Sequence, residues 1–130
     1  MKRRDFLKLG LSSLVVSQVP GRLFGQAAPP VVAVAQGTDY AAATLKTIAA
    51  LGGMKAFVKA GSTVVVKPNM GWDRKPEYAA TTHPLVVKTI VEECLASGAR
   101  RVKVFDHTCN DARRSYENCG IPAALKGMKN

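Results

Sequence analysis

The chain has 130 residues, a formal net charge of +10, three cysteines and a mean hydropathy near zero, at +0.01. That length bounds it to one small globular domain plus any targeting segment, and excludes a two-domain enzyme.

Residues 1–27 are set apart from the fold. Lys2-Arg3-Arg4-Asp5-Phe6-Leu7-Lys8 places paired arginines ahead of Phe-Leu, the modest apolar run Leu9 to Val16 follows, and Gly25-Gln26-Ala27 offers a small-residue cleavage site. This order of basic, apolar and small-residue regions reads as a twin-arginine export signal, engaging that export machinery and delivering a periplasmic or extracellular protein. An amphipathic N-terminal helix is the competing reading, but Pro20-Gly21 and Pro29-Pro30 would break it. The apolar run is too short and too interrupted to span a bilayer.

Removing that segment takes away five basic residues and one acidic residue, leaving 14 basic, 8 acidic and a net charge of +6 over residues 28–130. The remaining Lys and Arg are scattered, with Arg100-Arg101 and Arg113-Arg114 the adjacent pairs, and no nucleic-acid-binding motif or basic stripe accompanies them. Nucleic acid is therefore not an expected partner. A small anionic ligand fits the charge.

Pro29-Pro30 leads into Val31-Val32-Ala33-Val34-Ala35, a continuous apolar run expected to form a first buried strand. Thr38 or Asp39 then caps a helix over residues 40–51, stopped by Gly52-Gly53, and a short helical turn over 54–58 precedes a second strand over 62–67. Apolar Val64-Val65-Val66 ends at Lys67-Pro68-Asn69, and a polar and aromatic loop runs from there to Pro84. A buried strand handing over to a loop of this composition marks the place for function.

Pro84 opens a helix through Ala96, with Thr82 or His83 as its cap. Val87, Ile90, Val91, Cys94 and Leu95 fall three and four apart and share its buried face, which makes Cys94 a core residue. Residues 101–106 form the third strand, Asp106 to Asp111 a second polar loop, and two short helical stretches follow, over 111–118 and from Pro122. Alternating strands and helices at this spacing specify an α/β fold, a three-layer, mostly parallel sheet with helices on both faces. Three strands fall short of the usual five or six, so the expectation is the N-terminal part of a larger domain, completed by a missing C-terminal half or by self-association.

Three blocks carry a family resemblance: Val65 to Arg74 with its Lys-Pro-Asn strand end, Glu77 to Pro84 with Thr81-Thr82-His83-Pro84, and Val104 to Asp111 preceded by Gly98-Ala99-Arg100-Arg101-Val102. In this order the chain, from about Val31 onward, resembles the domain-of-unknown-function 362 family. The resemblance implies an α/β fold in a domain roughly twice as long as residues 28–130, in line with ordinary domain sizes. It also implies an iron–sulfur association, since some members carry a ferredoxin-like module. This chain departs from that pattern, because Cys109 and Cys119 lie ten apart and no C-x-x-C occurs. No cofactor is therefore assigned.

The candidate site residues lie on the two loops at the carboxyl ends of strands, where open α/β sheets bind ligands. Lys67, Asn69, Asp73, Arg74, Thr81, Thr82, Asn110 and Asp111 are the candidate ligand-binding set, with the Lys67 ammonium suited to phosphate or carboxylate and the amides of the Pro84 helix adding partial positive charge. The competing reading pairs Lys67 with Asp73 or Asp106 to stabilise the loop. His83 and Asp106 are the catalytic candidates, and His83, Asp106 and Cys109 the candidate metal ligands; against both, His83 serves as a helix cap. His107 is a weaker candidate of the same kind. Asp111 reads first as a helix cap, and Cys109 with Cys119 as a pair that could form a disulfide after export. Trp72 and Tyr78 either wall a pocket or pin the long loop.

The functional expectation is thus an exported α/β protein with a small-anion or redox-linked site at the carboxyl edge of its sheet. The alternatives are a non-catalytic periplasmic binding or accessory module and an inactive gene fragment.

Overall fold

The computed structural model describes residues 31–128, so the expected export signal over residues 1–27 lies outside the described residues, as do the last two. Helix α1 (Tyr40–Ala50), strand β1 (Thr63–Val66), helix α2 (Pro84–Ala96), strand β2 (Arg101–Val104) and helices α3 (Ala112–Asn118) and α4 (Ile121–Leu125) follow in chain order. Single 3-10 turns occupy Met54–Ala56 and Pro76–Tyr78.

Strands β1 and β2 pair in parallel, Thr63 opposite Arg101 and Val66 opposite Val104, with α2 as the crossover between them. The fold class is α/β. Along both strands the side chains alternate: Val64, Val66, Val102 and Val104 turn towards a core that contains Val87, Val91 and Cys94 of α2, while Thr63, Val65, Arg101 and Lys103 face outward and are exposed.

Local chemistry sets the boundaries. Pro68 has no N–H to continue a ladder, so β1 ends just before it. His83 caps α2 through its ring and Pro84 takes the first helical position. At the other end Gly98, at φ +94°, lets the Ala99 N–H donate to Cys94 O at 3.1 Å and its own N–H to Leu95 O at 2.9 Å, the paired bonds of a Schellman stop. Asp39 and Asp111 cap α1 and α3, accepting from the Ala42 and Arg114 amides at 2.9 and 3.0 Å.

One expectation is corrected. Val31 to Ala35 forms no strand, and Val31, Val32 and Val34 are 75%, 83% and 88% exposed. A β-branched run realises its propensity only when it has a pairing edge and a surface to pack on, and this run has neither here. Among the described residues α1 packs on α2 and α2 on the inner face of the two-stranded sheet, whose outward side chains are exposed.

The polar loop after β1 is fixed from within by Met70, which is 1% exposed and belongs to the core. Trp72 and Tyr78 are 46% and 70% exposed, so neither is the principal pin. Met70→Ala is expected to cost about 2–5 kcal/mol by cavity formation, against less than about 1 kcal/mol for Tyr78→Ala, in denaturant unfolding. Equal losses would show that the loop is held elsewhere.

Candidate functional site

The two loops at the carboxyl ends of β1 and β2 are bonded into one unit. Asp106 supplies the central acceptor: Lys67 Nζ lies 2.6 Å from Oδ1, the Met70 amide donates to Oδ2 at 3.1 Å, and the His107 amide donates to Oδ1 at 2.9 Å. Tyr116 of α3 closes the other side, its hydroxyl donating to Asp106 O at 3.0 Å and accepting from Asp106 N at 3.1 Å. Gly71 O accepts from the Cys109 and Asn110 amides at 2.8 and 3.3 Å. A Cβ on Gly71 would meet His107 O at 3.3 Å, so the close approach of the loops favours glycine there.

Asp73 forms the second knot. Arg114 Nη2 lies 2.7 Å from Oδ2, Asn118 Nδ2 donates to Oδ1, and the Asp73 amide donates to Asn110 Oδ1 at 3.1 Å. Loop and α3 are thereby joined. Beside this knot Asp73, Arg74, Lys75, Tyr78, Arg114 and Asn118 line an open, mostly polar cleft of about 440 Å3. Arg74, Lys75 and Arg114 line it with one carboxylate, Asp73, which is taken up by Arg114 and Asn118, while the Arg74 guanidinium donates to the Asp73 carbonyl at 2.8 Å. The surplus of positive charge makes the cleft receptive to anions.

A larger cleft of about 730 Å3 lies next to Asp106, lined by His107, Arg113, Tyr116, Glu117 and Pro122 among others. Its walls are mainly apolar, and its single arginine stands with two acids, so it offers no comparable field. Chemistry favours the smaller cleft over the larger.

The sequence candidates fall into separate places. Lys67 is paired with Asp106, the competing reading of that residue, although its side chain is 68% exposed. Asn69 and Thr82 bond each other, Asn69 N–H to Thr82 Oγ1 at 2.9 Å and Thr82 N–H to Asn69 O at 2.8 Å, while Asn69 Nδ2 reaches Ala80 O at 3.2 Å. Thr81 is buried, with its hydroxyl unpartnered rather than turned to a cleft. Asn110 serves Asp73 and Asp111 serves as a cap. Only Asp73 and Arg74 of the predicted ligand set line the cationic cleft.

His83 accepts from the Leu85 amide at 3.3 Å through Nδ1 and stacks on Tyr40 with ring centroids 3.9 Å apart, which is the cap reading. It is not brought together with Asp106 and Cys109, since among the described residues no three His, Cys, Asp or Glu side chains form a metal-binding group. Cys94, Cys109 and Cys119 are free thiols, so the Cys109–Cys119 pairing is not formed. Burial pushes the Cys94 and Cys119 thiols up, Glu93 adding to the effect at Cys94, while Cys109 is exposed.

Sequence reasoning overlooked Lys75, Arg114, Asn118 and Tyr116. The adjacency Arg113-Arg114 was a visible signal, but only helical phase decides which arginine faces the loop.

A family model described as "Domain of unknown function (DUF362)" matches residues 64–130, a shorter stretch than the resemblance from Val31 onward. No curated protein and no solved structure matches the chain.

The Asp106 carboxyl is held below its ordinary range, first by the hydrogen bond from Lys67 and then by the Met70 and His107 amides, with burial opposing. A carboxylate depressed in the folded state stabilises the fold fully above its unfolded value of about 3.9 and loses that contribution as pH falls through the lower folded value. Asp106→Asn is therefore expected to lower the unfolding midpoint at neutral pH and to flatten its decline between neutral and strongly acid pH. Parallel pH curves for the two proteins would contradict the clamp.

Proposed function

Because the chain belongs to the domain of unknown function family DUF362 over the region that contains both loops, and that membership assigns no reaction, we propose from the site itself that the protein is a non-catalytic binding module for a small anion. The observation that carries this reading is the convergence of Arg74, Lys75 and Arg114 on one open cleft whose only acid, Asp73, is already engaged. The ligand class is a compact, multiply charged phosphate or carboxylate. Arg114 is pre-oriented by Asp73, leaving guanidinium donors for a second acceptor, and Asn118 adds an amide to the wall.

Binding without turnover follows from the state of the acid–base groups. Asp106 is held ionised and engaged by Lys67 and the Met70 and His107 amides, which makes it a weak general base. His83 uses Nδ1 on the end of α2. The pairing of Asn69 with Thr82 and of Asp73 with Arg114 gives the loops a structural task, in keeping with a module that presents a fixed surface.

The module acts outside the cytoplasm in this proposal. Lys2-Arg3-Arg4 with the following Phe-Leu and apolar run supports twin-arginine export. Among the described residues no helix is long and apolar enough to cross a membrane.

Calorimetric titration of the full chain with inorganic phosphate and with citrate tests the site. Arg74→Ala combined with Lys75→Ala is expected to weaken binding about tenfold, as for the loss of two charge-assisted contacts. Lys67→Ala is expected to leave affinity within about twofold, because its charge is spent on Asp106. Absence of binding to the wild type, or equal affinity in the double variant, would remove the proposal.

A further inference from the structure

The outer face of the β1–β2 sheet is a second surface, separate from the anion cleft. Register places Thr63 beside Arg101 and Val65 beside Lys103. The Phe105 amide donates to Val66 O at 3.3 Å, which carries the ladder one residue further and puts Phe105 on the same side as Lys103 and Arg101. Val65 and Phe105 are 55% and 50% exposed. Two apolar side chains and two cations therefore share one small open patch, and neither Arg101 nor Lys103 forms an ion pair among the described residues.

Parallel strands in α/β proteins are ordinarily covered by helices on both faces, because both faces then escape water. Here α2 covers only the inner one. A helix lying on the outer face would have to meet Val65 and Phe105 with apolar residues and Arg101 and Lys103 with carboxylates. The four aspartates among the described residues are committed elsewhere: Asp39 and Asp111 cap helices, and Asp73 and Asp106 are paired. A second copy is disfavoured by charge, since each carries +6 over residues 28–130.

We propose that the open face formed by Val65, Arg101, Lys103 and Phe105 is a docking surface for an acidic amphipathic helix of a partner protein. Charge complementarity sets the partner and its register, and the two apolar side chains supply the contact that excludes water.

The test uses the full chain and a synthetic helical peptide with a leucine stripe flanked by glutamates, followed by fluorescence anisotropy. Wild type is expected to bind with an affinity that falls as salt rises. Arg101→Glu with Lys103→Glu is expected to weaken binding at least about tenfold, and a peptide with lysine in place of glutamate to bind that variant better than the original peptide does. Val65→Ser is expected to weaken binding with little change in salt dependence. The charge-swapped peptide keeps the test decisive if the double variant loses stability. No binding by the wild type, or no dependence on charge reversal, would overturn the proposal. So would capture of anionic phosphatidylglycerol vesicles or single-stranded DNA, lost in the same variant, in place of the peptide.

Discussion

The carboxylate of Asp106 is the constraint on which the carboxyl edge of this sheet depends. It lies just beyond β2 and accepts from Lys67, just beyond β1, and from the amides of Met70 and His107. Two loops with different origins are thus referred to one charged atom group. Charge-assisted hydrogen bonds of this kind are stronger than neutral ones, and removing the acceptor would strand several donors at once. Burial of Met70 directly beneath the clamp supplies the apolar counterpart.

That clamp changes the roles of the residues around it. Lys67, the most conspicuous cation in the sequence, is consumed in holding the frame. Asp73 performs the same service for α3 through Arg114 and Asn118. Once both acids are engaged, the cations without a carboxylate of their own define the electrostatics, and Arg74 and Lys75 stand beside Arg114 at one cleft. In the proposed reading the unpaired positive charge lies at the loop–helix junction and not at the strand end, because Lys67 is neutralised there by Asp106.

Much of the architecture was legible from local signals. The Pro84 to Ala96 helix, the Asp111 cap and the apolar spacing that buries Val87, Val91 and Cys94 follow from residue type and period, whereas the choice of His83 over Thr82 and of Asp39 over Thr38 as caps needed the structure. Val31 to Ala35 misled because an apolar run specifies a strand only when an edge is there to pair with it, and pairing is non-local. Met70 was passed over because it sits in a polar stretch without periodicity. The candidate site was half legible: the sequence located the two loops, but the partners of their charges depend on which atoms the third dimension brings within about 3 Å of each other, the ordinary hydrogen-bond range.

In the proposed mode of binding an incoming anion meets Arg74, Lys75 and Arg114, and Lys67 and Asp106 remain paired while it does. Site-resolved nuclear magnetic resonance of the full chain during addition of phosphate addresses it most directly. Progressive shifts are expected at the Arg74 and Arg114 guanidinium groups, the Lys75 amide and the Asn118 side-chain amide, with the Lys67 ammonium and the Asp106 carboxylate unchanged. Shifts centred on Lys67 and the α2 amides at Leu85 and Val86, with Arg74 and Arg114 silent, would contradict it.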